Sequence, residues 1–236
     1  MPQTPLDLTQ ALIELGTIRY GEASLNAVLV RITEIAKQTV PGSEDVSVTL
    51  IQGSRSYTAA YTGDLALRLD ELQYEQGRGP CLDAASSGTV IMVEDMATER
   101  RWPTWAASAR ATGAASSLSV ALPIQEAVVG ALNIYGRAPR AFTEVVQLAQ
   151  TFAGHAAVAV ANAQRYDSAA ALAEQMRNAM RSRAVIEQAK GIIMERRRCS
   201  ADEAFAVLAK ISQDSNQKLR DVAETLVEQA THRRRS

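Results

Sequence analysis

The sequence predicts an α+β protein: an antiparallel sheet with flanking helices in front, a long connecting helix, and three helices behind. Three observations carry that prediction. All seven prolines lie at or before Pro139, and only Gly154 and Gly191 follow Gly136, so the residues that punctuate turns and weaken helix interiors stop where the back begins. The strand-like segments of the front come in pairs joined by short turn signals, the organisation of hairpins. Charge divides at the same place. Acidic residues outnumber basic ones up to Asp167 and basic ones outnumber acidic ones after it, although the net charge is only −1.

The elements follow in order. In "TQALIELGTIRYGEASLNAVLVRITEIAKQTV" Leu25, Val28, Leu29, Ile32 and Ile35 recur at helical spacing, giving one or two amphipathic helices that Pro41-Gly42 stops. "VSVTLIQ" and "SRSYTAAYT" form a hairpin around Gly53, "TVIMVEDM" is a third strand, and "SLSVALPIQ" with "AVVGALNIYGR" is a second hairpin. Between these strands lie a loop rich in Gly and Pro and a short helical stretch after Trp102-Pro103.

At Phe142 a helix opens, with Phe142, Val145, Val146, Ala149, Phe152, Ala153, Ala156 and Val160 on one broad stripe. Unbroken to Cys199 it would be roughly 87 Å long at about 1.5 Å per residue. Such a stripe outruns one small domain, so a second copy is expected along Phe142 to Met180, with Val145 and Phe152 in the seam. A break between Tyr166 and Ala171 is the alternative.

Ser200 with Glu203 three residues on makes a capping box, and the helix it starts has Ala204, Phe205, Leu208 and Ile211 on its core side. Ser215 and Asn216 are expected to cap a third helix, with Leu219, Val222, Ala223 and Leu226 inward. Arg196, Arg197 and Arg198 stand in the last turn of the long helix, where cations suit its dipole.

Composition excludes several classes. A chain of 236 residues with 47% hydrophobic and 22% charged residues folds. No apolar run approaches the roughly 20 residues of a membrane span, and the first residues lack the features of a secretory signal. Cys81 and Cys199 are too few for a disulfide framework or a cysteine zinc cage, which points to a reducing cytoplasm. His155 and His232 are the only histidines, and no catalytic triad, phosphate loop or metal-ligand cluster is visible, so no enzyme is expected and no cofactor is named.

The stretch "IEQAKGIIMERRRCSADEAFAVLAKISQDSNQKLRDVAETLVE" resembles an ANTAR domain, the three-helix RNA-binding module of bacterial transcription antiterminators. The resemblance rests on Ala189-Lys190-Gly191, Met194, Ala204-Phe205, Leu208, Ser215-Asn216 and Lys218 to Ala223. Upstream, the order of helices and hairpins around "YEQGRGPCLDAASSG" resembles a GAF domain of the kind found before ANTAR in actinobacterial regulators. The expected division is a GAF-like sensor over 1–165, including the start of the connecting helix, and an ANTAR domain over 166–236 with its helical linker and the basic tail "HRRRS".

The homodimer is expected from the long stripe, and the absence of membrane contact from composition; the resemblance implies RNA binding that stabilises stem-loops so that polymerase reads through a terminator. Its RNA contacts would be Lys190, Gly191, Arg196, Arg197, Ser215, Asn216, Lys218 and Arg220. RNA stem-loops are read through backbone charge, shape and unstacked bases, which suits cations and short polar groups. No exposed aromatic platform is expected, because Phe205 falls on the core stripe. Gly191 reads as a close helix crossing, with room for the RNA backbone as the alternative.

In the front, Tyr57, Tyr74, Cys81, Trp105, Asn133 and Tyr135 are candidates for a small-molecule or redox pocket. Cys81 follows "GRGP", where a helix start would favour a thiolate, with a buried structural cysteine as the alternative. Asn133 alternates with Leu132 and Ile134 and so faces away from them. The front is expected to gate the back through the connecting helix, with Met176, Ala179 and Met180 repacking at low cost. Two rival readings remain: DNA binding by the helical back, and a sensor dimer that acts through protein contacts alone.

Overall fold

The computed structural model describes residues 6–21, 23–125 and 128–233, without the side chains of Gln125, Val128, Val129, His232 and Arg233. Of the basic tail "HRRRS", the last three residues lie outside the described residues. The chain divides into two compact units, Met1–Asp167 and Ser168–Ser236.

In the first unit, α1 (Leu8–Gly16) and α2 (Leu25–Thr39) begin on side-chain caps from Asp7 and Ser24. β1 (Asp45–Gln52) and β2 (Arg55–Tyr61) form the first hairpin. Next come α3 (Asp64–Gln76), α4 (Pro80–Ser87), β3 (Val90–Val93) and α5 (Pro103–Ala111). The second hairpin, β4 (Ser116–Gln125) and β5 (Val128–Gly136), fills the middle of a five-stranded sheet of order β2-β1-β5-β4-β3, antiparallel at every pairing.

Alternation along the strands gives that sheet two unlike faces. Val46, Val48, Leu50, Leu118, Val120, Leu122, Leu132 and Ile134 form one core with α1, α2 and the connecting helix. Their neighbours Ser47, Thr49, Ser117, Ser119 and Asn133 point the other way. They are nevertheless fully buried.

Their burial comes from α3 and α4, which replace the expected Gly/Pro-rich loop. The inward stripe of α3 is Leu65, Ala66, Leu69, Asp70 and Gln73, so two of its five residues are polar and it escapes a search for apolar residues. Gly77, in the left-handed region at φ 64°, ends α3, and Gly88 at φ 68° ends α4. The glycines read as loop punctuation are therefore helix stops.

The connecting helix α6 (Val146–Arg197) is one unbroken element of 52 residues, without the break at Tyr166 to Ala171. It starts four residues later than expected, because Phe142–Val145 is a turn closed by Val145 N donating to Phe142 O at 3.2 Å. Phe142, Ala149, Phe152, Ala153, Ala156 and Val160 are buried in the first unit's own core, and Val145 packs against it. The expected dimer seam at Val145 and Phe152 is thereby corrected: that stripe already packs in the core of its own unit.

In the second unit the C-terminal part of α6 packs with α7 (Ala201–Ser215) and α8 (Leu219–Arg233) around Ala189, Ile193, Ala204, Leu208, Val222 and Ala223. Ser200 forms the capping box, its Oγ accepting from Glu203 N while Glu203 accepts from Ser200 N. Two expectations fail here. Ser215 and Asn216 do not cap α8: Ser215 lies in the last turn of α7, its Oγ donating to Ile211 O at 2.6 Å, and Asn216 ends α7 at φ 52°, a conformation asparagine tolerates. Phe205 and Ile211 are 45% and 44% exposed and stand outside the core stripe.

Candidate functional site

Two places in the molecule gather polar chemistry. In the first unit, α3 and α4 press Asp70 and Gln73 onto the polar sheet face. Tyr135 Oη donates to Asp70 Oδ1 at 2.6 Å, Asn133 Nδ2 reaches the same oxygen at 3.3 Å, and Thr58 Oγ1 donates to Oδ2 at 2.9 Å. Asn133 Nδ2 also lies 2.9 Å from Thr49 Oγ1, and Tyr74 Oη bonds Thr49 and Thr58 at 2.8 and 2.9 Å. Gln73 Nε2 donates to Tyr135 Oη at 3.3 Å, while its Oε1 accepts from Cys81 N at 2.8 Å. That last contact needs Gly79, where any Cβ would run into the Gln73 side chain.

The network is incomplete. Ser117 Oγ, Ser119 Oγ and Asn133 Oδ1 are buried with no hydrogen-bond partner among the described residues. Ser119 pairs with Asn133 across β4 and β5, and Ser117 lies two residues along the same face, so the three unmet atoms belong to one strip. A buried polar atom without a partner costs about 1–3 kcal/mol, which a bound polar molecule or water recovers.

Burial pushes the Asp70 carboxyl up to about 6, against the pull of its neutral hydrogen-bond donors. Burial, and then the charge of Asp70, also raise the Tyr74 and Tyr135 phenols and the Cys81 thiol. Cys81 does sit at the start of α4, but desolvation outweighs the helix terminus and the thiol stays protonated. Of the candidate pocket residues, Tyr74, Cys81, Asn133 and Tyr135 share this network. Trp105 is buried on the same side and donates from Nε1 to Leu69 O at 3.0 Å. Tyr57 packs against the opposite, apolar core. The residues missed from the sequence were Ser47, Thr49, Thr58, Asp70, Gln73, Ser117 and Ser119; the alternation of Ser47 and Thr49 with Val46, Val48 and Leu50 was the available signal.

Asp70 gives a pH prediction. A carboxyl whose folded pKa lies above the ordinary value of 3.8 binds its proton more tightly when folded, so stability falls as pH rises from about 4 to 6 and the loss is complete above that. The loss is on the order of 3 kcal/mol. Asp70→Asn keeps an oxygen for Tyr135 and loses the charge. Its melting temperature should match or exceed wild type at pH 7.5, and the gap should shrink by pH 4.5; a constant gap would contradict this.

The second place is the rim of the three-helix unit. Arg196, Arg197, Arg198 and Lys218 are exposed and form no ion pair among the described residues. Arg198 is no longer helical: it turns the chain out of α6 at φ 52°. Lys190 and Arg220, by contrast, are engaged, Lys190 Nζ with Glu187 at 3.0 Å and Arg220 Nε with Asp221 at 3.2 Å. Gly191 is not a helix crossing, since a Cβ there would meet nothing within 4 Å. It lines a groove of about 780 Å³ between α6 and α8, with Gln188, Arg196, Val227 and Thr231. Ser215 and Asn216 are exposed where α7 ends, the asparagine as its cap and the serine bonded to its own helix.

The protein thus has two parts, an α+β domain with a buried polar strip on its sheet and a helical unit with exposed cations on its rim. The chain belongs to the GAF domain family, whose model matches residues 22–161, and carries an ANTAR domain at residues 174–227. No curated protein matches it.

The GAF fold is also that of solved structures. The chromophore-binding domain of a bacteriophytochrome from R. palustris is 15% identical with a TM-score of 0.51, over 67% of this chain and 61% of that one, so this chain spans under two thirds of that protein's length. The phycoerythrobilin-bound GAF domain of a cyanobacterial phytochrome is 16% identical with a TM-score of 0.50, over 67% of this chain and 96% of that one. A GAF domain from a phosphoenolpyruvate-protein phosphotransferase of Coxiella burnetii is 17% identical with a TM-score of 0.50, over 68% and 94%. At these identities the likeness concerns the fold. No helix of the described residues is long and apolar enough to cross a membrane.

Proposed function

We propose that the chain is a signal-responsive, non-enzymatic regulator of the cytoplasm that binds RNA stem-loops in nascent transcripts and lets polymerase read through a terminator. The observation that supports this most is the set of unpaired cations Arg196, Arg197, Arg198 and Lys218 on the exposed rim of the ANTAR unit. An RNA backbone is a polyanion whose binding releases counterions, and unpaired arginines engage it without first giving up an internal partner. The front unit acts as the sensor, and the strip of Ser117, Ser119 and Asn133 supports a small polar molecule as its signal.

The protein works as a homodimer. Every residue from Arg165 to Arg181 is exposed, including Leu172, Met176 and Met180 at 54%, 60% and 73%. A helical stretch with no packed face is marginal in water, and a second copy of α6 supplies the missing partner. Gating of the ANTAR unit by the GAF unit follows from two arrangements of that seam, one favoured by the signal.

Sequencing the nucleic acid that copurifies with the full chain tests the reading. Enrichment of paired stem-loops ahead of terminators is the expected outcome. Recovery of duplex DNA, or of no nucleic acid at all, would favour the rival readings of a DNA-binding protein or a purely protein-interacting sensor.

A further inference from the structure

We infer that Phe205 is a stacking platform for an unpaired base of the RNA loop, a contact that rests on the RNA reading above. Phe205 is the only Phe, Tyr or Trp after Asp167. The core of the three-helix unit is built without it, from Ala204 and Leu208 on the same helix together with Ala189, Ile193, Val222 and Ala223. About 100° around α7 from Ala204, the ring leaves that core and stands 45% exposed. A helical side chain leans over the turn on its N-terminal side, so the ring covers the first turn of α7, at the corner entered from Arg196, Arg197 and Arg198.

Charge at that corner fits RNA. The three arginines have no ion pair among the described residues; of the acids flanking them, Glu203 is drawn back onto Ser200 N at 2.8 Å, while Glu195 and Asp202 are exposed. An exposed aromatic face in the same helical unit as unpaired cations is the combination that holds a splayed base by its π-face and the neighbouring phosphates by charge.

The test uses full-length wild type, Phe205→Leu and Phe205→Trp. The probe is a stem-loop RNA enriched on wild type from a random-loop pool, with 2-aminopurine placed at each loop position in turn. The control is the same stem as a blunt duplex. Wild type and Phe205→Trp should quench one loop position. Phe205→Leu should lose that quenching and bind the stem-loop roughly tenfold more weakly. Its duplex affinity and melting temperature should stay at the wild-type values. A Phe205→Leu variant with wild-type quenching and affinity overturns the platform while leaving the RNA reading in place. Wild type that enriches no stem-loop overturns the RNA reading and the platform with it. A fall in the solution mass of Phe205→Leu assigns the ring to a seam between copies, which also overturns the platform.

Discussion

Replacing Arg196, Arg197 and Arg198 together by alanine should lower affinity for stem-loop RNA roughly a hundredfold near physiological salt and flatten the log-affinity against log-salt slope by about two. The three side chains are exposed and unpaired, so the fold loses little with them. Lys190→Ala and Arg220→Ala make the informative comparison. Each of those cations is already partly neutralised, by Glu187 and by Asp221, so RNA gains less from it. Each single change should cost only about threefold at the same salt. The measurement is a salt titration of binding for the three variants. A triple variant with an unchanged slope would remove the corner from the contact surface.

Phe152→Asp should unfold the GAF unit instead of separating a dimer. Phe152 is fully buried between the sheet and the helices of its own chain. Removing such a ring costs about 3–5 kcal/mol, and a carboxylate in its place adds a desolvation penalty. That approaches the whole stability of a typical domain. Leu172→Glu with Met176→Glu should do the opposite, leaving the melt of the GAF unit intact while light scattering falls to the monomer mass, because both side chains are exposed. If Phe152→Asp melts like wild type and is monomeric, the stripe from Phe142 onward is a seam between copies after all.

That contrast marks where the sequence is informative. Period 3.6 in Leu25–Ile35 and period 2 in Val46–Leu50 read directly as helix and strand, because one side of each element is uniformly apolar. The same rule hid α3, whose buried stripe includes Asp70 and Gln73. Asn133 was legible as a polar residue facing away from Leu132 and Ile134. Its partner Asp70 lies 63 positions earlier, and no local pattern announces such a pairing.

What the sequence by itself determined is the two hairpins, the helices that have an apolar stripe, the capping box at Ser200 and the family of each part, since all depend on residues close together in the chain or on a fixed spacing. Tertiary structure decided which faces are covered. It buried the polar side of the sheet under α3 and α4 and turned the Phe142–Val160 stripe inward. It also left Phe205 outside a core that Ala204 and Leu208 complete. Burial is a sum over neighbours that the chain brings together only on folding, and so spacing along the sequence does not fix it.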